Sequence, residues 1–227
     1  MNEFNIEKYK LPPNQEDSDC LGIAIRQSKT NSQKKHIGFV FIDKDSKKSM
    51  FAHLADDYYC QENKLRGYGI LWLDFLSERN ATIIITQLKL LSVKGIDIKS
   101  IYGITNSGGT LIENGEIIKN PNTDSDSLTC STFLLCILEQ AGFEIIDRST
   151  WIINSEDTKW QESMMEMLKD KLYEDFYEEQ KNNIGKVVRI RPEQLAGACG
   201  IYKYTPISYT DACQAGQLVV DRLNELF

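Results

Sequence analysis

The chain has 227 residues and a mass of 26.0 kDa, a length that suits one large domain or two small ones and can bury a core without disulfides. Its apolar fraction of 41% and charged fraction of 26% are ordinary for a soluble globular protein and exclude wholesale disorder. The net charge of −7 and the pI near 5.0 argue against nucleic acids and anionic membranes as partners, because both require clustered positive charge.

The N-terminal residues show no basic region followed by an apolar one, so we expect no secretory signal. Apolar runs stay far below the roughly 20 residues of a membrane span, so we expect no membrane anchor. The cysteines show no CxxC pair, which indicates reduced thiols and a cytoplasmic protein. The six cysteines are at positions 20, 60, 130, 136, 199 and 213.

The first half of the chain is predicted to consist mainly of strands. Residues 1–19 are polar and contain Pro12-Pro13, which predicts an N-terminal arm rather than a secondary-structure element. A turn cluster at 43–46 joins two of the strands into a hairpin over 36–54. The strands are predicted at 20–26, 36–42, 48–54 and 68–73, where alternating apolar and β-branched residues occur.

The second half is predicted to be mostly helical, and strands followed by helices indicate an α+β fold. A helix opens at Ser77 and ends at Gly95, and another starts with Asp126 or Ser127 as its cap. The helix that starts at Asp126 or Ser127 ends at 141. The remaining elements are a long acidic helix at 155–180, a short strand at 187–190, a helix start at 191–193 and a terminal helix at 211–226.

The acidic helix predicted at 155–180 carries an apolar stripe at helical spacing. We interpret this stripe as a packing face rather than a ligand site. The outer acidic face is solvated or serves a protein partner. The stripe consists of Trp160, Met164, Met167, Leu168 and Leu172.

The chain has only two histidines, His36 and His53, at the start and the end of the two hairpin strands. Side chains that face each other across such a pair lie roughly 4.5–5.5 Å apart at Cβ, close enough for two imidazoles to hydrogen-bond. One ring can then fix the tautomer of the other, as a base and its orienting partner require. The alternative is two unrelated histidines at strand ends.

Cys130 lies in the first turn of the helix predicted after residue 126. The helix N-terminus favours a thiolate and predicts a lowered thiol pKa, and its free N–H groups are natural oxyanion donors. The alternative is an inert buried cysteine, because position 130 shares an apolar face with other residues of this helix. A reactive thiolate requires a sulfur that is accessible to solvent, whereas an inert core cysteine has a sulfur that is buried.

Together these segments, KKHIGFVFI, MFAHLADD and SLTCSTFLLCILEQAGF, resemble the circularly permuted NlpC-type papain-like thiol hydrolases, and among them the lecithin retinol acyltransferase-like group. The resemblance places His36 on the general base, His53 on its orienting residue and Cys130 on the nucleophile, with Phe133 matching the C-x-x-F helix motif. The neighbours Thr129 and Ser131 and the 17-residue separation of the histidines depart from the lipid enzymes, so the lipid substrate is not carried over.

A set of uncharacterised bacterial proteins shows a similar pattern after the cysteine helix. Asp147, Thr150, Trp151 and the RPEQLAGA segment at 191–198 match it. The papain-like resemblance implies a catalytic core at 20–150, an antiparallel sheet packed against the cysteine helix, and a helical extension at 151–227 on the same globular unit. The cleft walls would then come from loops 56–67 and 105–125 and from the 142–190 insertion.

The resemblance implies a cysteine-dependent peptidase or amidase that attacks a peptide, isopeptide, amide or ester carbonyl, with no cofactor and no metal. The oxyanion would be held by the N–H of Cys130, with a side chain near 20–22 as a second donor. The partner is then a peptide, protein or amide substrate. The alternatives are a thiol acyltransferase, a non-catalytic binding or regulatory module, and an exported effector that cuts cell-wall peptides or a host protein.

Four lesser candidates remain. Asp56-Asp57 is a possible cation site, although adjacent carboxylates point apart and favour a solvated turn. Asp74 is a substitute orienter for His36, should His53 point away. The Gly108-Gly109 loop matches neither a phosphate loop nor a dinucleotide fingerprint. Zinc bound by two histidines and one cysteine lacks an evident fourth ligand.

Overall fold

The computed structural model describes residues 6–8, 20–27, 35–119 and 126–227. It confirms the α+β class, because strands dominate the first half of the chain and helices the second. The strands are β1 (Glu7–Lys8), β2 (Leu21–Gln27), β3 (Lys35–Ile42), β4 (Ser49–Leu54), β5 (Tyr58–Glu62), β6 (Gly69–Trp72), β7 (Leu111–Glu113) and β8 (Glu116–Ile118). The helices are α1 (Glu78–Lys94), α2 (Ile98–Ile101), α3 (Cys130–Gln140), α4 (Thr158–Leu168), α5 (Glu174–Asn182), α6 (Pro192–Ile201) and α7 (Tyr209–Leu226).

An antiparallel sheet in the order β1-β6-β2-β3-β4-β5 forms the centre of the described part, and β7 and β8 form a separate hairpin. The predicted hairpin is present as β3 and β4. Its turn is closed by Asp43, whose carboxylate accepts hydrogen bonds from the N–H and hydroxyl of Ser46. The segment predicted as a loop at 56–67 contributes β5, which pairs with β4. Of the predicted arm, Glu7–Lys8 form β1 on β6, and residues 1–5 and 9–19 lie outside the described residues.

Helix α3 crosses the centre of the core and contacts β3 and β4. Its side chains from Phe133 to Leu138 are buried. The main cluster of buried apolar residues includes Ile6 and Leu223 and so draws on both ends of the described chain. A smaller cluster around Val40, Phe51 and Tyr68 covers the other face of the sheet.

The cap predicted for α3 at Asp126 or Ser127 is wrong, because the helix begins at Cys130 with Thr129 as its cap. Both predicted caps are buried and bonded elsewhere. Asp126 accepts hydrogen bonds from the N–H and hydroxyl of Ser107, and Ser127 donates its hydroxyl to the carbonyl of Thr105 at 2.6 Å. These bonds tie the chain before α3 to the segment that follows α2.

The single helix predicted at 155–180 is also wrong, because the chain forms a short 3₁₀ turn at Ser155–Asp157 followed by the separate helices α4 and α5. Tyr173 has extended backbone angles and donates its N–H to the carbonyl of Lys99 at 3.1 Å. This break lets α5 bury Gln180, whose amide oxygen accepts from the N–H groups of Ile104 and Thr105. Tertiary hydrogen bonds therefore override a continuous helical pattern.

The strand predicted at 187–190 is absent from the structure, in which these described residues are irregular. The carbonyl of Val187 accepts from the Gln161 side chain at 3.1 Å, and the Arg189 guanidinium binds Asp157. The Gln161 side chain of α4 thus bonds a backbone carbonyl that a neighbouring strand would otherwise bond, and the Asp157 carboxylate fixes the Arg189 side chain.

Candidate active site

The structure brings His36 and His53 together. His36 Nε2 lies 2.8 Å from His53 Nδ1, within hydrogen-bond distance. The two residues are diagonal neighbours rather than directly opposed, because Phe39 pairs with Ala52 and one further step along the register places Gly38 opposite His53. His53 also stacks on Phe51 and Tyr59, with ring centroids 4.4 and 5.2 Å away.

Gly38 makes room for this arrangement. A Cβ atom at position 38 would lie 2.7 Å from the Cβ of His53 and 2.5 Å from a ring carbon of Phe51. Any side chain at this position would therefore push the His53 ring away from its partner.

Both histidines are neutral at pH 7. Burial, with added repulsion from His53 and Arg26, lowers the pKa of His36 to about 3. Burial and the Arg26 charge lower the pKa of His53 to about 4. In a hydrogen bond between two neutral imidazoles, a protonated nitrogen of one ring donates to the unprotonated nitrogen of the other. Because Nε2 of His36 is engaged with His53, Nδ1 is the nitrogen that is left for a reaction partner.

Cys130 is the first residue of α3, is half-buried, and lines the same cavity as His36. The N–H of Ile37, the residue after His36, and both the hydroxyl and the N–H of Ser131 favour the thiolate, as does the charge of Arg189. Burial of the sulfur outweighs them, and the pKa of the Cys130 thiol is raised. The expectation that the helix N-terminus lowers the pKa of Cys130 is thus wrong, because desolvation of the sulfur outweighs the groups that favour the thiolate.

The resting state is therefore a thiol and a neutral imidazole that line the same cavity. The ring of His36 is hydrogen-bonded to the ring of His53. Among the described residues, no hydrogen bond joins the His36 ring to the Cys130 sulfur.

The start of α3 leaves backbone donors for a ligand. Thr129 caps the helix by accepting from the N–H of Thr132, whose hydroxyl in return accepts from the N–H of Thr129 at 2.7 Å. The N–H groups of Cys130 and Ser131 have no backbone partner within the described chain. Beside the neutral thiol the buried Ser131 hydroxyl likewise has no hydrogen-bond partner there, so it is available to a thiolate or to an oxyanion. These groups can serve as oxyanion donors.

Ser131 is the residue that the sequence reasoning missed. The second oxyanion donor was expected near 20–22, but Cys20 and Leu21 line a different cavity. Asp74, the substitute orienter, is exposed beside that other cavity rather than near His36. Ser131 is an unsatisfied buried hydroxyl, and sequence alone does not show whether a polar group is satisfied.

The cavity that Cys130 and His36 share has a volume of about 130 Å³. Of the three segments predicted to form the cleft walls, two do not line this cavity in the described chain. Part of 56–67 forms β5, and no residue of 105–119 is among the lining residues. The 142–190 segment does contribute, through α4 and the residues near 190. A second cavity of about 530 Å³ adjoins the first and shares Lys35, Trp160, Ser163 and Arg189 with it.

No metal centre accompanies the site in the described ranges, which contain no group of three or more histidine, cysteine or acidic side chains suited to hold a metal. Asp56 and Asp57 lie in an exposed turn between β4 and β5, where Asp57 accepts from the N–H of Tyr58. Their interpretation as a solvated turn agrees with this placement.

No protein-family model, curated protein or solved structure matches the chain. In the part of the chain that the structure describes, no helix has the length and apolar character needed to cross a membrane.

Proposed function

We propose that the protein is a cysteine-dependent hydrolase, a peptidase or amidase that acts on a peptide, isopeptide, amide or ester carbonyl. Cys130 is the nucleophile, His36 the general base and His53 the residue that orients His36. The observation that carries this proposal is the 2.8 Å hydrogen bond between His53 and His36, because His36 lines the same cavity as Cys130. A nucleophile, a base and an orienting group in this order form a catalytic triad.

The fold proposed for the core is the circularly permuted papain-like one. Its support is the order of the two histidines before the cysteine, and the packing of α3 against β3 and β4 of an antiparallel sheet. The cysteine opens α3, and the histidines lie on the adjacent strands β3 and β4, both of which α3 contacts.

The reaction starts from the neutral pair. The Cys130 sulfur attacks the carbonyl carbon while its proton passes to Nδ1 of His36, and Nε2–H of His36 donates to Nδ1 of His53. The new oxyanion accepts hydrogen bonds from the N–H groups of Cys130 and Ser131 and from the Ser131 hydroxyl. As the tetrahedral intermediate collapses, His36 returns the proton to the leaving amine or alcohol, and a thioester remains on Cys130.

Water then attacks the thioester with His36 as base, which releases the acid and restores the thiol. If an acyl acceptor other than water enters, the same steps give an acyltransferase. The raised pKa of Cys130 and the lowered pKa of His36 mean that the thiolate forms only during attack. Such a site is slow with simple alkylating agents and depends on substrate binding for its rate.

A second candidate is a non-catalytic binding module on the same fold. The raised pKa of Cys130 favours it, because a buried inert cysteine has the same property. A partner contacting the predicted 155–180 helix would meet two short helices instead, with α4 turned toward the cavity.

Acylation by p-nitrophenyl acetate, followed by intact-protein mass spectrometry, separates the two candidates. The hydrolase forms an acetyl thioester on Cys130 that is lost with time, and Cys130→Ala abolishes it. His36→Gln slows its formation at least tenfold at pH 7. Cys20→Ala is the matched control, since Cys20 is also half-buried but lines another cavity. Acylation that is absent from wild type, or that persists in Cys130→Ala, would reject the hydrolase.

A further inference from the structure

Helix α4 turns one apolar row toward the core and another toward the Cys130 cavity. Met165 and Leu168 are buried in the main core cluster. Trp160, Met164 and Met167, at spacings of four and three residues, line the cavity. Trp160 and Met164 also pack against the core cluster, and Met167 is 48% exposed. The interpretation of this stripe as a packing face alone is therefore incomplete.

The rest of the cavity wall is also mostly apolar. Tyr102, Ile190 and Pro192 add to it. The polar lining consists of residues at the start of α3, of His36, Lys35 and Arg189, and of Ser163 on α4. A ligand that fills this space presents carbon to the wall and its polar, reacting group to the sulfur. Concave apolar sites with a few convergent polar groups are typical of substrate pockets.

Charged side chains at the cavity rim are paired within the protein. Arg189 binds the buried carboxylate of Asp157 at 2.9 Å and lies 3.8 Å from the Trp160 ring centroid. Lys35 binds Glu193 at 3.3 Å. Each of these two cations thus has a carboxylate partner within the protein, although Asp157 also binds Arg191 at 3.1 Å. The pairing favours an uncharged group on the ligand.

The volume limits the size of the occupant. An apolar cavity of roughly 150 Å³ in another protein holds a benzene molecule, and the present one has about 130 Å³. A branched or aromatic group of about four to six carbons fits this space. A long fatty chain would have to extend into the adjoining cavity, where six of the ten lining residues are polar or charged side chains that the first cavity does not share. Two of the three apolar α4 side chains that line it are methionines, which adapt to small differences in shape.

We infer that this cavity is the acyl-group pocket of the proposed hydrolase, and that the substrate carries a compact, uncharged aliphatic or aromatic side chain on the acyl side of the bond that is cleaved. The inference rests on the proposed function, because the acyl group is defined by its bond to Cys130. The acyl carbon joins the sulfur, the sulfur lines the pocket, and the side chain attached to that carbon extends between α4 and residues 190–192.

A series of p-nitrophenyl esters tests the pocket. The acyl groups are acetyl, 4-methylpentanoyl, octanoyl and succinyl, and the rate of Cys130 acylation is divided by the rate of the same ester with free glutathione. Each buried methylene is worth roughly fourfold in binding. We expect 4-methylpentanoyl to exceed acetyl at least tenfold, octanoyl to fall below 4-methylpentanoyl, and succinyl to gain nothing over acetyl.

Two variants of one residue change the pocket in opposite directions. Met164→Trp fills it and should lower the ratio of 4-methylpentanoyl to acetyl at least fivefold. Met164→Ala enlarges it and should raise the ratio of octanoyl to 4-methylpentanoyl. Glu166→Trp adds the same ring to an exposed position of α4 that does not line the pocket, and both ratios should stay at the wild-type values. If a Met164 variant does not fold, the wild-type series decides alone.

The outcomes distinguish the two proposals. Equal corrected rates for all esters on wild-type Cys130 would overturn the pocket and leave the hydrolase standing. A preference for octanoyl or succinyl would overturn the size or the apolar character of the pocket. No acylation of Cys130 by any ester would overturn both proposals.

Discussion

At the scale of single residues, the site depends on a glycine at position 38, where a side chain would not fit. Gly38 lies beside His53 and Phe51, and a Cβ there would approach both closer than 3 Å. Gly38→Ala should therefore displace the His53 ring and destabilise the protein by about 1–3 kcal/mol, the usual cost of overpacking. Urea unfolding gives the free energy, and the ¹H–¹⁵N spectrum of the two imidazoles reports the hydrogen bond between them.

A compensating variant tests the cause of this effect. Phe51→Leu removes the ring atoms nearest to position 38 and should restore part of the stability that Gly38→Ala loses. If Gly38→Ala keeps both the wild-type stability and the imidazole spectrum, Gly38 has no role in positioning His53.

The protonation of Cys130 is a second question at this scale. Because burial raises its pKa, the rate of alkylation by iodoacetamide should rise with pH and reach half its maximum above the ordinary thiol value of roughly 8.5. Ser131→Ala removes a hydroxyl that favours the thiolate and should move this midpoint higher still. Site-resolved mass spectrometry measures the rate at each cysteine. A plateau already reached at pH 7 would show a preformed thiolate and contradict the neutral resting pair.

At the scale of elements, the cap of α3 positions the nucleophile. Thr129 accepts a hydrogen bond from the N–H of Thr132, and it directly precedes Cys130. Thr129→Ala should cost about 1 kcal/mol of unfolding free energy, whereas Thr129→Ser should retain most of it. Urea denaturation of the two variants checks this. If both lose the same amount, the methyl group of Thr129 rather than its hydroxyl supports the helix.

The elements differ in how far the sequence predicts them. The hairpin of β3 and β4 and the helix α1 follow from local signals, a turn cluster in one and a Ser77 cap with a Gly95 stop in the other. The cap of α3 and the break between α4 and α5 do not, because buried hydrogen bonds to distant segments decide them. A helical pattern cannot reveal that Tyr173 bonds to Lys99.

The residues of the candidate site also differ in whether the sequence predicts them. Two histidines on one hairpin can be expected to meet, because strand pairing is local. Ser131 and the α4 wall could not be identified, since the first depends on an unpaired buried hydroxyl and the second on which side of α4 faces the cavity. Tertiary packing sets both properties.

At the scale of the whole molecule, the two histidines link stability to pH. They are the only histidines in the chain, so few other side chains of the unfolded protein titrate between pH 5 and 7. In the folded protein their pKa values are lowered from 6.5 to about 3 and about 4. The unfolded state therefore binds more protons than the folded state in this range, and the stability is complete above about pH 6.5 and falls as the pH decreases.

Lowering the pH from 7 to 5 should reduce the unfolding free energy by about 1–2 kcal/mol for each histidine. Urea denaturation at the two pH values measures this loss. In the variant with His36→Gln and His53→Gln the difference should nearly vanish, whatever its stability at pH 7, because the titrating groups are gone. The single variants should each keep about half of the slope. A wild-type protein equally stable at pH 5 and 7 would mean that the two histidines titrate in the folded protein as they do in the unfolded chain, and that burial does not lower their pKa values.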